Sequence, residues 1–223
     1  MELLFEQFPA LSAIGICRHV FTHRIPNIDV SHDKPEVLTR LDTAHREIRN
    51  AIGVGDWPLF TAEQIHGSRI AVADSPAKTD KKFCGCDGII TNRRGIALGI
   101  YVADCCAVYI VDTKTPAIGL VHSGKKGTEL GVASNAIRQT VEKFGSDPSN
   151  MIVQLSPCIR PPHYEIDFAT EIVRQCRALG VKEIHDSGAC TACDRDRYYC
   201  YRAEKGKTGR MLALIGLKPT IAD

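Results

Sequence analysis

Three side chains stand where a chemically active group is unexpected. His66 lies in the segment Gln64-Ile65-His66-Gly67. Cys105 follows Ala103-Asp104, where one apolar run ends and the next begins. His122 closes the apolar run Ala117-Ile118-Gly119-Leu120-Val121 and is followed by Ser123-Gly124. A polar side chain at the end of a buried strand, with glycine close behind, is one way to present a ligand or catalytic group on a rigid scaffold. Imidazole and thiolate both ligate metals, and both serve as proton-transfer groups or nucleophiles. A histidine at a strand end is equally at home as a hydrogen-bonded surface residue. Spacing alone does not unite the three.

Two further patterns carry chemistry. Ser123-Gly124-Lys125-Lys126-Gly127-Thr128 is a glycine-flanked turn leading into a predicted helix. Free backbone N–H groups and the helix dipole favour an anion such as phosphate there, although a solvated strand-to-helix loop has the same composition. Cys84-Gly85-Cys86 and Cys190-Thr191-Ala192-Cys193 together supply four thiols that would suit a second, closed metal site. Cys106, Cys158 and Cys176 sit in apolar surroundings and read as core.

The elements that must position these residues follow from periodicity. A first helix is predicted after Ser31-His32-Asp33, with Pro35 in its first turn, apolar residues from Val37 to Ile52 and Gly53 as its stop. A second is predicted from about Thr128 to Phe144 and a third from Asp167, as N-cap, to Leu179. Short runs rich in Ile and Val predict strands at Gly88–Thr91, Ala97–Val102, Ala107–Val111, Ala117–Val121 and Met151–Leu155. The four strands between 88 and 121 leave no room for helices, so a meander-like sheet and an α+β class are expected.

Composition bounds the rest. The chain has 223 residues, 44% of them hydrophobic, and a net charge of +2 from 28 basic and 26 acidic side chains. That suits one folded domain over 1–223, and no repeat or linker divides it. The charge balance gives no basic excess for bulk nucleic-acid binding. The first residues carry Glu2 and Glu6 and no basic n-region, and no apolar run is long enough to span a bilayer. A cytoplasmic protein with reduced cysteines, with neither a nucleic-acid nor a membrane partner, is expected. It would be a monomer or a small homo-oligomer.

A set of segments in fixed order adds to this reading. They are Gln64-Ile65-His66-Gly67, Asp87-Gly88-Ile89-Ile90-Thr91-Asn92, Ala103-Asp104-Cys105, His122-Ser123-Gly124 through Thr128, and Ser156-Pro157-Cys158-Ile159. The tail adds Cys190-Thr191, Tyr201-Arg202 and Thr208-Gly209-Arg210-Met211. From about Phe21 onward the chain resembles the YfiH family, formerly called multicopper polyphenol oxidase or laccase-like proteins. The resemblance implies an α/β/β/α layered sandwich with mixed sheets. It implies a zinc site on His66, Cys105 and His122, and purine nucleoside phosphorylase activity with adenosine deaminase and methylthioadenosine phosphorylase side activities. The substrates would then be a purine nucleoside and inorganic phosphate. Two imidazoles and a thiolate suit tetrahedral zinc with an open fourth position, the pattern of catalytic rather than structural sites.

The resemblance also suggests partners for phosphate or ribose. Arg46 matches the arginine of an Asn-Arg pair on the family's first helix, with His45 in place of the Asn, and Arg24 matches an early arginine. Ser123 and Lys126 belong to the turn. Asp104 is expected to orient His66 or His122 from behind, or else to cap a turn. The turn departs from the family: many members have Gly-Trp-Arg-Gly-Thr where this chain has Gly124-Lys125-Lys126-Gly127-Thr128, and lysine does not replace arginine in planar anion recognition.

Three other readings use the same residues. Two histidines and a cysteine resemble a blue-copper set, so a Cu2+ polyphenol oxidase is one alternative, although a laccase needs several coppers and many more clustered histidines than the eight present. A metal-free cysteine hydrolase with Cys105 as nucleophile is another. A zinc-stabilised binding module without activity is the third.

Overall fold

The computed structural model describes residues 4–75 and 78–220; the extreme ends of the expected 1–223 span, including Glu2, lie outside the described residues. The elements in chain order are β1 (Phe5–Glu6), α1 (Pro9–Ile14), β2 (Cys17–Thr22), α2 (Lys34–Ala51), β3 (Leu59–Ala62), β4 (Ile70–Val72), β5 (Lys81–Phe83), β6 (Gly88–Thr91) and β7 (Ala97–Val102). They continue with β8 (Cys106–Asp112), β9 (Ala117–Ser123), α3 (Lys125–Glu129), α4 (Val132–Phe144), β10 (Met151–Leu155), α5 (Phe168–Ala178), β11 (Glu183–Asp186) and β12 (Met211–Leu217).

Local chemistry explains the long helices. The Asp33 carboxylate accepts from the N–H of Glu36 at 3.0 Å and starts α2, and Gly53 follows its end with φ 73°. Asp167 does the same for α5 through the N–H of Thr170 at 3.0 Å. The second expected helix is broken. α3 is a single short turn, and Gly131 at φ 68° restarts the chain as the N-cap of α4. The helix leaving the Lys125-Lys126 turn is therefore five residues long, and the dipole expected there is that of a short turn.

The strands form two six-stranded mixed sheets. The first has the order β1-β2-β12-β7-β3-β5 and the second β11-β10-β8-β9-β6-β4. Leu98, Ile100 and Val102 of the first sheet and Tyr109, Val111, Ile118 and Leu120 of the second share one buried core between the sheets. α2 covers the outer face of the first sheet, where His45 packs on Tyr101 with ring centroids 5.8 Å apart. α4 and α5 cover the outer face of the second, with Ala133, Ile137, Ile172 and Cys176 against Val108, Ile110 and Val153. The result is the expected α/β/β/α layering.

The expected meander is a correction. β6, β8 and β9 lie in the second sheet, but β7 crosses to the first. Both faces of β7 are covered, so its residues show no alternation that could reveal the crossing. The crossing back, at 103–105, carries Asp104 and Cys105.

Candidate metal and anion site

Strand parity places two of the three candidate ligands. Ile118, Leu120 and His122 alternate on one face of β9, so His122 continues the row that packs between the sheets. β8 starts where β9 ends, with Ala107 opposite His122, and Cys105 immediately precedes β8. The β8–β9 hairpin thus sets a thiol and an imidazole at the same open end of the sandwich. β9 runs through Ser123, so His122 lies within the strand and not just beyond it.

His66 arrives from a loop after β3. Gln64 and His66 are left-handed, at φ 66° and 61°, a conformation uncommon outside glycine. Gln64 continues the β3–β7 ladder with its side chain, donating to the carbonyl of Tyr101 at 2.6 Å and accepting from its N–H at 3.0 Å. The Asp87 carboxylate then gathers the backbone N–H groups of Ile65, His66 and Gly67 at 3.2, 2.8 and 2.7 Å. Asp87 also bonds Nδ1 of His122 at 2.9 Å and is fully buried. Burial raises the pKa of this carboxyl, but the bonds from His122 and the backbone outweigh it and hold Asp87 below its ordinary value. Burial keeps His122 below its ordinary value, partly offset by Asp87.

The donor atoms of His66, Cys105 and His122 lie within 4.8 Å of one another, the group among the described residues that can hold a metal ion. The two imidazoles meet edge to face with centroids 4.8 Å apart. With Nδ1 of His122 committed to Asp87, its Nε2 remains for a metal, the usual arrangement of a ligating histidine. Gly124 makes room for the thiol: a Cβ there would fall 2.5 Å from Cys105 Sγ. Burial pushes the Cys105 thiol up to about 12, with Asp104 adding to it. A thiol held neutral is a poor free nucleophile, which counts against the metal-free hydrolase; a bound cation is the ordinary means of drawing out the thiolate.

The three donors open into a cavity of about 370 Å³. Four cations line it: Lys34, Lys125, Arg202 and Arg210. Asp104 is the single carboxylate in the lining, and both of its oxygens are engaged, by Thr191 Oγ1 and by the N–H of Arg202, each at 2.7 Å. Lys34 is held below its ordinary pKa by burial and by the neighbouring charge of Arg210. Tyr164, Phe168 and Tyr201 supply ring faces, with the guanidinium of Arg202 4.8 Å from the Tyr164 centroid.

Several expected site residues stand elsewhere. Arg46 is exposed and pairs with Asp42 at 2.9 Å one helical turn away. Arg24 is tied to Glu204 at 2.9 Å and lies over the Tyr199 ring at 4.5 Å. Neither lines the cavity. Ser123 is buried and bonds Thr128 Oγ1 at 2.8 Å. Lys126 points to solvent, whereas Lys125 lines the cavity. Asp104 touches neither histidine; the carboxylate behind the ligands is Asp87. Spacing offered no sign of this role, although Asp87 begins one of the ordered segments. Lys34 and Arg210 were also missed, the first because it reads as an ordinary first-turn residue of α2. Cys84, Cys86, Cys190 and Cys193 form no metal-binding group among the described residues.

Comparisons with known proteins identify the relatives of this chain. A family described as multi-copper polyphenol oxidoreductase laccase matches residues 27–171 and 163–218. A purine nucleoside phosphorylase of Corynebacterium glutamicum is 27% identical over 83% of this chain and 83% of its own. The purine nucleoside phosphorylase YlmD of Geobacillus stearothermophilus is 26% identical over 76% of this chain and 78% of its own. The crystal structure of YlmD from that organism superposes with a TM-score of 0.80 at 22% identity, covering 98% of this chain and all (100%) of that one. YfiH of Bacillus licheniformis gives 0.75 at 22% identity, covering 91% and 93%. The likeness of fold and the family match along most of the sequence agree: the chain belongs to the multi-copper polyphenol oxidoreductase laccase family, which includes YfiH.

Proposed function

We propose that this chain is a zinc-dependent purine nucleoside phosphorylase that converts adenosine, inosine or methylthioadenosine and inorganic phosphate into free base and the sugar 1-phosphate. The observation that carries this reading is the joining, in one cavity, of three candidate metal donors with three cations, Lys34, Lys125 and Arg210, that form no ion pair among the described residues, and with aromatic faces. The names of the relatives point the same way.

Each part of the cavity has a task. Lys34 and Arg210 are partly buried, and among the described residues neither forms an ion pair; Arg210 donates only to the carbonyls of Thr208 and Gly209. They hold phosphate beside the donor group. Tyr164, Phe168 and Tyr201 receive the purine. A phosphate oxygen bonds to C1′ as the C1′–N9 bond breaks, the electron pair leaves with the base, and the proton that hydrogen phosphate gives up ends on the base. Asp87 keeps the proton of His122 on Nδ1. Zinc held by His66, Cys105 and His122 would supply a Lewis acid to the cavity these residues line.

The test is incubation of the zinc-loaded protein with adenosine, with and without phosphate, followed by chromatography. Adenine and ribose 1-phosphate, formed only with phosphate, are expected. Inosine alone would make the protein a deaminase. Activity that requires copper and oxygen would overturn the zinc reading in favour of an oxidase.

A further inference from the structure

The cations of the cavity fall into two tiers. Lys34 and Arg210 are partly buried, whereas Lys125 and Arg202 are exposed at the rim. The Lys125 side chain makes no hydrogen bond or ion pair among the described residues, and the one ion pair of Arg202 is a 3.4 Å contact to Glu165, with both side chains more than half exposed. Such an exposed pair contributes little and is easily exchanged. Asp104, the one carboxylate in the lining among the described residues, accepts from Thr191 Oγ1 and from the backbone N–H of Arg202 and offsets at most one of the four cations. A single phosphate, with a charge of roughly −2, leaves the lining cationic. Like charges crowded into a partly closed cavity repel unless a second anion joins them.

We infer that the substrate brings its own anion: the chain acts on a purine nucleoside 5′-phosphate in preference to the neutral nucleoside, with Lys125 and Arg202 receiving the 5′-phosphate. This rests on the phosphorylase reading and narrows its substrate class. Inorganic phosphate occupies the inner tier at Lys34 and Arg210. The purine lies on the rings beside Arg202, which is already seated over Tyr164. The balance of the step is unchanged. The phosphate oxygen bonds to C1′, the bond to N9 breaks with its electron pair going to the base, the proton that hydrogen phosphate gives up ends on the base, and the products are free base and a ribose phosphorylated at C1 and C5. Lys125 and Arg202 are specificity residues, remote from the bond that breaks.

The experiment compares adenosine 5′-monophosphate with adenosine on the full chain, by phosphorolysis and by calorimetric binding. The nucleotide is expected to be favoured at least about tenfold in kcat/KM and in affinity, as a charge-assisted contact requires. Lys125→Gln should cut that ratio by about tenfold, and rising salt should narrow it. Turnover of adenosine with no advantage for the nucleotide would overturn this inference and leave the phosphorylase reading intact. Tight binding of the nucleotide that depends on Lys125, with no phosphorolysis of either compound, would support the inference on ligand class and overturn the phosphorylase. A ratio unchanged in both Lys125→Gln and Arg202→Gln would overturn the assignment of the rim.

Discussion

Asp87 Oδ1 lies 2.9 Å from Nδ1 of His122 and is fully buried, so one carboxylate on β6's leading edge fixes an imidazole at the end of β9. The same carboxylate holds the backbone of His66. Two of the three donors therefore depend on a single side chain that is not itself a donor.

Replacing Asp87 with Asn should weaken metal binding by about 10–100-fold, the usual cost of losing a carboxylate behind a ligating histidine. A competition titration of zinc against a chelator measures this. An affinity equal to that of the parent would show that Asp87 serves folding alone.

Gly124→Ala tests the space around the thiol. The backbone there is at φ −102°, acceptable to alanine, so the effect comes from the new methyl, 2.5 Å from Cys105 Sγ and 3.9 Å from His66 Cδ2. Zinc content should fall and activity should drop by about 10²-fold, as displacements near 1 Å commonly cause. Circular dichroism should report an intact fold. Full zinc loading in this variant would refute the placement.

Lining the cavity or standing outside it separates two arginines. Arg210→Gln should raise the KM for phosphate by about tenfold or more, because it removes a cation that lines the cavity. Arg46→Ala removes only an exposed i,i+4 pair with Asp42 and should cost about 0.3–0.5 kcal/mol of stability with no change in that KM. Steady-state kinetics on the two variants would reverse the assignment if Arg46 proved the one that matters.

Two buried histidines set a pH dependence away from the metal. Burial lowers His19 and His45 from 6.5 to about 4. His19 Nε2 accepts the N–H of Phe8 at 2.7 Å, and His45 Nε2 has no hydrogen-bond partner among the described residues. Both stay neutral in the fold while the unfolded chain protonates below about 6.5. Stability should therefore be complete above that pH and decline as pH falls toward 4, by up to about 1.4 kcal/mol per pH unit for each histidine. Denaturant melts of His19→Gln across this window should show a slope shallower by one proton; an unchanged slope would refute the assignment.

Much of the scaffold was legible in the sequence because local chemistry dictates it. Asp33 and Asp167 cap their helices where the pattern indicated, and the Ile- and Val-rich runs became β6 to β10. Which sheet each strand joins was not legible, since strands such as β7 and β12 are apolar on both faces and periodicity carries no sign of the partner. β12, at the centre of the first sheet, reads as an unbroken apolar run. His66, Cys105 and His122 stood out as polar interruptions, but their meeting point depends on contacts between distant segments. Asp87 and Arg210 were hidden for the same reason, and Lys125 was masked by its neighbour Lys126, since a sequence does not say which of two adjacent lysines faces inward.

The left-handed residues at the site have a consequence for how this protein can change. Gln64, His66 and Asp104 hold positive φ with full side chains, a conformation that costs of order 1 kcal/mol or more each and that glycine would relieve. A search for thermostable variants would be drawn to these positions, and each gain there would remove a ladder bond, a metal donor or the anchor of Thr191. Directed evolution under heat alone should thus drift toward a sturdier, inert protein, and only a screen that also scores turnover would keep all three.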